Sequence, residues 1–287
     1  MRIHWRHQLK PESTLIAVFS YNMGRTLRNC LDSIYRHCPE FDVILADDQS
    51  EDVETLAIIS EYQNRFVDVY TSTEDKDAKR HGNLYQNIQA MCDYGLKNGY
   101  RFLLMIQDDM QLVRPLSAEI LREYSNLLAA DHVLQVDPRF LRRGSEFVFF
   151  PELNAYGFGS KDYRRSYADV GVLDLAKIRK LNWTFMDSER ENKAALTRLG
   201  MLRVFPFTPI MMHVPFPKAY RKGKIHKRYS LLRRGSYSFS DMTDAEISAM
   251  DSRPYSKLPY FRDLLRPKNM GISRIYYRYK SDARLFK

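Results

Sequence analysis

The stretch FLLMIQDD at residues 102–109 ends an apolar run with two adjacent aspartates, Asp108 and Asp109. Gly99 precedes the run and Pro115 follows it, and an apolar run between such residues is typical of a buried strand in a parallel sheet. Parallel α/β sheets bind ligands beyond the carboxyl ends of their strands. Two carboxylates at that edge favour a cation such as Mg²⁺ or Mn²⁺, which often accompanies a phosphate-bearing ligand. Taken by itself, an Asp-Asp pair is more typical of an exposed acidic turn. The neighbouring segments of the sequence are needed to choose between such a turn and a cation site.

Two upstream segments repeat the same pattern of strand, polar turn and helix. LIAVFSYNMG at residues 15–24 leads into a segment with Leu27, Leu31 and Ile34 at helical spacing, and VILADDQSED at residues 43–52 leads into a second helix. Right-handed crossovers between parallel strands place such turns on the same edge of the sheet. The sequence therefore predicts a doubly wound α/β sheet in which the polar turns at 20–22, 47–50 and 107–111 meet at one crevice.

Further segments predict the rest of the sheet. FVDVY at 66–70, VLQV at 133–136 and EFVFF at 146–150 are typical of strands, and NAYGFG at 154–159 is predicted to be a flexible aromatic loop. The aromatic rings of that loop could line a binding site or pack against the body of the protein.

Composition limits the class of protein. The chain has 287 residues, of which 44% are hydrophobic and 28% charged, which is ordinary for a soluble globular domain with an extension. Its three cysteines are too few and too scattered for a disulfide framework or a zinc site. The first residues lack the apolar stretch of a signal peptide, and no run reaches the roughly 18 apolar residues of a membrane span. We therefore expect a soluble or peripheral protein in a reducing compartment.

These motifs together resemble the glycosyltransferases of family 2, which are inverting, use nucleotide sugars and have the GT-A fold. SYN at 20–22 stands where the family has a Thr-Tyr-Asn-like turn, DDQS at 47–50 where it has Asp-Asp-Gly-Ser, and QDD at 107–109 where it has an Asp-x-Asp-like motif. The resemblance extends from Ser13 to His213. Gln49 replaces the usual glycine, and Gln107 replaces the usual first acid.

The resemblance implies a fold and a domain organisation. The expected fold is a doubly wound, mostly parallel sheet with a Rossmann-like nucleotide-binding half and a mixed acceptor-binding half. Residues 1–217 would form the GT-A catalytic domain. Residues 218–287 would form a basic C-terminal extension that contains a site-closing loop and a helical tail.

The resemblance also implies the residues of the donor site. Asp48 would accept a hydrogen bond from a ring N–H of uracil or another base, and Asp108 would contact the ribose or a metal-bound water. A divalent ion, Mn²⁺ or Mg²⁺, would be held by Asp109 and by His213, which follows the strand-Pro-strand segment at 201–212. The complete set expected at the nucleotide is Ser20, Tyr21, Asn22, Asp48, Arg80 and Asp108, with His81 an alternative to Arg80.

An acidic residue at the start of a late helix would be the general base of such an enzyme. The family spacing back from Gly200 falls on Glu189. Ser188 and Glu191 fit a capping box, in which Glu191 turns back to the cap residue. Residues two apart point to different sides of a helix, so Glu191 takes the structural role and Glu189 is left for catalysis.

The formal net charge of +10 is concentrated in two C-terminal stretches, at 218–234 and 274–287. A basic, tyrosine-rich stretch suits nucleic acid, an anionic membrane surface or, in a glycosyltransferase, a loop that closes over the donor diphosphate. For 218–228 we favour the diphosphate role, carried by Lys222, Lys224 and Lys227. For 274–287 a solvated surface and peripheral membrane contact are both open.

The expected function is transfer of a sugar from a nucleoside-diphosphate sugar, most plausibly a UDP-sugar, to a hydroxyl of a saccharide or lipid-linked acceptor. By resemblance this would serve bacterial surface polysaccharide synthesis, in the cytoplasm or on the inner face of the membrane. One rival is a sugar-phosphate nucleotidyltransferase, although YNMGR at 21–25 is a poor version of its glycine-rich basic loop. The other is a non-enzymatic nucleic-acid-binding protein, which the acidic crevice disfavours because phosphate backbones avoid acidic surfaces. We therefore expect no nucleic-acid partner.

Overall fold

The computed structural model describes residues 9–72, 83–215, 219–221, 224–226, 238–268 and 270, with Glu12 and the segments 219–221 and 224–226 described by their backbone. The strands are β1 (Thr14–Ser20), β2 (Asp42–Asp47), β3 (Asp68–Thr71), β4 (Phe102–Gln107), β5 (Met110–Leu112), β6 (Val133–Val136), β7 (Phe147–Phe150), β8 (Ala155–Phe158), β9 (Gly171–Asp174), β10 (Leu202–Pro206), β11 (Met211–His213), β12 (Ala219–Arg221), β13 (Lys224–His226), β14 (Ser238–Phe239) and β15 (Pro267–Lys268). The α-helices are α1 (Gly24–His37), α2 (Val53–Tyr62), α3 (Leu84–Lys97), α4 (Ala118–Ala129), α5 (Leu175–Lys180), α6 (Glu189–Arg198), α7 (Asp244–Asp251) and α8 (Phe261–Leu264).

Nine of the described strands form one sheet in the order β3-β2-β1-β4-β9-β6-β10-β8-β7, and the others form the two-stranded pairs β11-β5, β12-β13 and β14-β15. β3, β2, β1 and β4 run parallel to one another. They form the half of the sheet that was predicted to bind the nucleotide. β9 is antiparallel to both β4 and β6, and β8 is antiparallel to both β10 and β7, so the second half is mixed. The predicted α/β class, with a mostly parallel sheet and a mixed second half, is confirmed.

Helices cover both faces of this sheet, as a doubly wound topology requires. β1 is buried along its whole length, and its side chains alternate between two apolar clusters. Ile16 and Val18 belong to the cluster that includes α1 and α4, whereas Leu15 and Ala17 belong to the cluster that includes α3 and α5. Each such aliphatic side chain contributes about 1.5–3 kcal/mol when it is fully buried, so the strand is held by both layers.

The first turns of α1 and α2 touch at the edge of the sheet. A Cβ added to Gly24 would lie 2.7 Å from the backbone nitrogen of Thr55, so only glycine allows this approach. Asp52 caps α2 by accepting the N–H of Thr55 at 2.9 Å. Two helix N-termini therefore lie beside the carboxyl ends of β1 and β2, where their dipoles favour an anionic ligand.

Two local predictions differ from the structure. β3 begins at Asp68 and not at Phe66, because the N–H of Phe66 closes a 3₁₀ turn on the carbonyl of Gln63. The predicted aromatic loop at 154–159 is strand β8, which pairs with β7 and β10. The rings of Tyr156 and Phe158 are buried in an aromatic cluster with Phe205, so they pack against the body.

The basic segment expected to close the site lies partly within the described residues. Its backbone at 219–221 and 224–226 forms the antiparallel pair β12–β13. None of the helices in the part of the chain that the structure describes is long and apolar enough to cross a membrane.

The segment 238–268 packs on the body of the protein. Phe239 is fully buried beside Val113, Phe140 and Met212, and the side chain of Gln111 hydrogen-bonds both the N–H and the carbonyl of Phe239. Residues 238–268 therefore share a hydrophobic core with the expected catalytic domain. The division of the chain at residue 217 stays a prediction.

We expect Phe239→Ala to destabilise the whole protein by about 3–5 kcal/mol, the usual cost of deleting a buried aromatic ring. Because this ring is part of a core shared with Val113 and with Met212 of β11, chemical denaturation should remain a single transition that moves to lower denaturant. Leu56→Ala, on the half-exposed face of α2, is the control and should change the midpoint little. Two separate transitions, of which only one moves, would show that the C-terminal segment unfolds as its own unit.

Candidate active site

Three polar turns meet at the carboxyl ends of β1, β2 and β4, as predicted. Ser20 is directly opposite Asp47 in the parallel register, and Phe19 is opposite Gln107. Backbone hydrogen bonds continue the pairing past the strand ends, because the N–H of Asp48 donates to the Ser20 carbonyl at 2.9 Å and the N–H of Asp108 donates to the Phe19 carbonyl at 3.0 Å. The structure therefore brings Ser20, Asp48 and Asp108 to one edge.

The first two turns are tied together by Asn22 and Ser50. The Asn22 side-chain oxygen accepts the N–H groups of Glu51 and Asp52 at 2.8 and 2.9 Å, and the Asn22 N–H donates to the Ser50 hydroxyl at 2.9 Å. Asn22 has a φ of 53°, in the left-handed region that asparagine tolerates. Asn22 thus fixes the shape of the crevice, and its contact with a nucleotide stays a prediction.

The backbone conformation of Gln49 explains why a glycine is usual at this position of the motif. It has a φ of 58°, which is unfavourable for a residue with a side chain. The Gln49 amide nitrogen donates to the Ser72 carbonyl at 2.8 Å, which ties the turn to the end of β3. The turn keeps the conformation expected of the glycine-containing motif.

Asp48, directly after β2, has one carboxylate oxygen without a hydrogen-bond partner among the described residues. One carboxylate oxygen, Oδ2, accepts the N–H of Asn83 at 3.1 Å, while Oδ1 is buried and has no hydrogen-bond partner within the described residues. A buried acceptor without a partner costs about 1–3 kcal/mol, so it favours a ligand that brings a donor. The resemblance implies that this residue contacts the base of a nucleotide, and a carboxylate oxygen can accept a hydrogen bond from a ring N–H. That contact stays a prediction.

Asp108 is buried between two other carboxylates. Its Oδ2 accepts the N–H of Tyr21 at 2.9 Å. Burial and the neighbouring charge of Asp109 hold the pKa of Asp108 well above its ordinary value, against the hydrogen bond from Tyr21, which lowers it. Asp108 therefore holds the Tyr21 turn in place and is poorly suited to carry a charge unless a cation or a hydrogen-bonding ligand approaches.

Asp109 lies next to His213, as predicted. The antiparallel pairing of β5 and β11 sets His213 opposite Met110, and the N–H of Val214 donates to the Asp109 carbonyl at 2.8 Å. The His213 Nδ1 and Asp109 Oδ1 are 3.1 Å apart. Burial raises the pKa of Asp109, but the hydrogen bond with His213 and the positive charges of Arg142 and Arg139 outweigh burial, so the pKa is lowered and the carboxyl is ionised. Burial also lowers the pKa of His213, which favours a neutral ring.

A third side chain, Arg139, completes this cluster and was missed by the sequence analysis. Its Nη1 is 3.0 Å from the His213 Nε2, while its Nε and Nη2 donate to the two carboxylate oxygens of Asp137 at 2.8 and 2.5 Å. Asp137 is fully buried and also lies 3.4 Å from Arg203. Burial pushes the pKa of Asp137 up, and the two guanidinium groups, Arg139 first, lower it further than burial raises it.

These residues do not fit a metal held jointly by Asp109 and His213. A metal ligand needs a free lone pair, and both ring nitrogens of His213 already face hydrogen-bonding partners. No group of three or more His, Cys, Asp or Glu side chains in the described part of the chain is arranged to hold a metal ion.

The N-terminus of α6 has the predicted cap. Ser188 is the N-cap and accepts the N–H of Glu191 at 3.3 Å, and its hydroxyl donates to the Glu191 carboxylate at 2.6 Å. The carboxylate therefore contacts the hydroxyl of the cap residue where a contact with its N–H was expected. Glu191 is used locally.

Glu189, the residue predicted to be the base, begins α6. Its carboxylate lies 2.7 Å from the ammonium group of Lys193, one turn along the helix, and the Lys193 side chain is only 8% exposed against 42% for Glu189. The buried lysine holds the carboxylate in one orientation while leaving it open to solvent.

Asp169 is a second carboxylate near this helix and was also missed. Burial and the charge of Glu189 raise the pKa of Asp169 to about 6. Asp169 comes two residues before β9, which runs antiparallel to β4, with Gly171 opposite Met105. The beginning of an antiparallel strand lies at the same edge as the carboxyl ends of its parallel neighbours, and this rule could have found Asp169 from the sequence. Asp137, directly after β6, could have been found as a strand-end acid in the same way.

Asp169→Asn should raise the melting temperature at pH 7.5 and leave it nearly unchanged at pH 4. The native pKa is raised, so Asp169 contributes stability at low pH and loses that contribution as the pH rises through about 6. Removing the charge relieves this loss, and about 2–4 °C is expected for each kcal/mol in a protein of this size. The pair of melting curves is the measurement, and an equal shift at both pH values would contradict the pKa argument.

Some predicted residues cannot be assigned a contact. Arg80, the alternative His81, Lys222 and Lys227 lie outside the described residues. The backbone of Lys224 is in β13, and its side chain lies outside the description. Their predicted roles stay predictions.

Comparison with known protein families finds a match in the N-terminal part of the chain. Residues 15–88, from β1 into α3, match the family described as Glycosyl transferase family 2. No curated protein matches the chain.

Solved structures with a similar fold are distant. S. aureus TarS 1-349 in complex with UDP is 16% identical, with 69% of this chain and 59% of that chain covered at a TM-score of 0.49. The mannosyltransferase PcManGT from Pyrobaculum calidifontis in complex with GDP-Man and Mn²⁺ is 14% identical, with 71% and 57% covered at a TM-score of 0.47. This chain thus spans less than two thirds of the length of either protein. At these scores neither likeness carries an argument about what this chain binds.

Proposed function

We propose that this chain, a glycosyltransferase whose residues 15–88 carry the family 2 sequence, transfers a sugar from a nucleoside-diphosphate sugar to an acceptor hydroxyl. The observation that carries the proposal is the buried Oδ1 of Asp48, which has no partner within the described residues and lies at the carboxyl edge of the parallel sheet. An acceptor in that position selects a base with a ring N–H. Uracil and guanine have one in their neutral forms, whereas cytosine and adenine do not.

In this proposal the donor lies along the edge formed by β1, β2 and β4. Its base is held by Asp48, beside Ser20, Tyr21 and Asn22. The N-termini of α1 and α2 and the basic segment with Lys222, Lys224 and Lys227 favour its diphosphate. A UDP-sugar is the donor that agrees best with the resemblance, and Arg80 belongs to the same expected contact set.

Transfer would proceed by a single displacement. The carboxylate of Glu189 takes the proton of the acceptor hydroxyl as the oxygen attacks the anomeric carbon, and the bond from that carbon to the diphosphate oxygen breaks. The nucleoside diphosphate leaves with the electron pair, and the configuration at the anomeric carbon inverts. Lys193 holds the Glu189 carboxylate in one orientation, which lowers the entropic cost of reaching the reactive geometry.

A divalent ion, Mn²⁺ or Mg²⁺, is implied by the resemblance, but the described side chains do not fit an ion shared by Asp109 and His213. The steps above therefore use the chain's own groups. The acceptor in this proposal is a saccharide or a lipid-linked saccharide of bacterial surface polysaccharide synthesis. The enzyme would work in the cytoplasm or bound peripherally, through its basic C-terminus, to the inner face of the membrane.

A ligand panel tests the proposal. The melting temperature should rise more with UDP or GDP than with CDP or ADP, which carry the same diphosphate but a base without the ring N–H, since a ligand that binds only the native state raises it. Incubation with the matching nucleotide sugars should then release the free nucleoside diphosphate by slow hydrolysis. Release of a nucleoside triphosphate from a nucleotide sugar and pyrophosphate would instead indicate a nucleotidyltransferase, and a shift with oligonucleotides alone would indicate a nucleic-acid-binding protein.

A further inference from the structure

Arg139 is held rigidly between Asp137 and His213. Two of its nitrogens donate to the buried carboxylate of Asp137, and its N–H also lies 3.3 Å from that carboxylate. Its backbone neighbours are fixed to β11, because Pro138 accepts the N–H of Ile210 at 2.8 Å and Phe140 donates to the carbonyl of Met211 at 3.1 Å. The guanidinium group therefore cannot turn away from His213 without breaking a buried ion pair.

The partners of His213 determine which of its ring nitrogens carries the proton. A guanidinium group has only donors and stays charged in proteins, so the His213 Nε2, 3.0 Å from Arg139 Nη1, must accept. A neutral imidazole with an accepting Nε2 carries its proton on Nδ1. That proton points at the Asp109 Oδ1, 3.1 Å away, so His213 donates to Asp109.

We propose that Arg139 locks His213 as a hydrogen-bond donor to Asp109, and that His213 is a positioning residue and not a metal ligand. Both lone-pair positions of its ring are then occupied, one by the proton on Nδ1 and the other by the guanidinium donor. A divalent ion that accompanies the donor would be held by the Asp109 carboxylate and by phosphate oxygens, without a nitrogen ligand.

The consequence is a metal site that the protein does not complete by itself. One carboxylate from the chain is a weak partner for a hydrated Mn²⁺, so ion binding should depend on the diphosphate. The Arg139 guanidinium supplies a permanent positive charge near Asp109. The hydrogen bonds among Arg139, His213 and Asp109 do not depend on the proposed function, and only the identity of the phosphate ligand rests on it.

The protonation of the ring is measured directly by long-range ¹H–¹⁵N correlation on histidine-labelled protein. The signals of His213 are assigned by their loss in His213→Ala. In the metal-free wild type we expect a protonated Nδ1 and an unprotonated Nε2. Arg139→Lys, which keeps a charged donor, should preserve this pattern, whereas Arg139→Met, which removes the donor, should allow Nε2 to become protonated. A wild-type His213 with its proton on Nε2 would overturn the proposal.

Pulsed electron paramagnetic resonance with Mn²⁺ and UDP provides the second readout. We expect Mn²⁺ bound in the presence of UDP to show no directly bonded ¹⁴N coupling in the wild type. A nitrogen coupling that disappears in His213→Ala would overturn the proposal. If Arg139→Met fails to fold because Asp137 loses its main partner, the nitrogen correlation of His213 and the Mn²⁺ spectrum of the wild type still test the proposal. The melting shift with UDP in the same samples reports separately on the proposed function.

Discussion

Glu189→Gln should lower the rate of sugar transfer by about 10²–10⁴, the range expected for loss of a general base. Glutamine keeps the size of the side chain and an oxygen for Lys193 Nζ, which lies 2.7 Å from the glutamate, so the helix should remain intact. Affinity for the nucleoside diphosphate should hardly change, because the base acts on the acceptor hydroxyl. Single-turnover transfer, with the donor affinity measured on the same preparation, gives both values.

Glu191→Gln is the matched control, two residues away on the same helix. Glutamine can still accept the Ser188 hydroxyl, which donates to the glutamate at 2.6 Å, so both transfer and donor affinity should be close to the wild type. If Glu191→Gln is the inactive variant and Glu189→Gln is active, the two roles are exchanged. Full activity in both variants would leave Asp169 and Asp187 as the remaining acids to test near this helix.

Asp48→Asn should weaken binding of UDP by about 10²-fold, since a hydrogen-bonding site rejects a mismatched group by a few kcal/mol. Asn83 donates to one side-chain oxygen of residue 48, and the asparagine oxygen would keep that contact. The amide nitrogen would then occupy the position of Oδ1 and present a donor to the ring N–H of the base. Titration calorimetry with UDP measures the loss.

The control for Asp48→Asn is the ligand itself. A nucleotide whose base offers an acceptor at that ring position, such as CDP, should bind the asparagine variant better than it binds the wild type, because the new amide donates. The melting temperature of the unliganded variant checks that the turn is intact. Unchanged UDP affinity in a folded variant would remove Asp48 from the base-binding site and with it the main support for the proposed function.

Strands β1, β2 and β4 of the parallel half could be predicted because their signals are local. A buried parallel strand is apolar throughout, as in β1 and β4, and ends at a polar turn, so both its bounds and its functional edge appear in the sequence. The N-cap Ser188 and the end of α6 near Gly200, which has a φ of 72°, were predictable for the same reason.

The contact between Arg139 and His213 could not be predicted in this way. Arg139 follows a proline in a segment with no periodic pattern, and nothing local indicates that it reaches His213, which is 74 residues away. The same holds for β8, whose Ala155–Phe158 sequence contains a glycine and is rich in aromatic residues, yet is a strand because β7 and β10 lie on either side of it. Such features depend on tertiary pairing and on which partner is buried beside which.

Both ends of the segment between His213 and Ser238 are fastened at one strand. β11 pairs with β5, setting Met212 opposite Gln111, and the side chain of that same Gln111 binds the backbone of Phe239. The chain between Met212 and Phe239 is therefore a loop whose two ends are both held at Gln111. Lengthening or shortening this segment would leave both anchors in place and would change only the entropy of closing the loop, by about 0.6 kcal/mol for each doubling of its length.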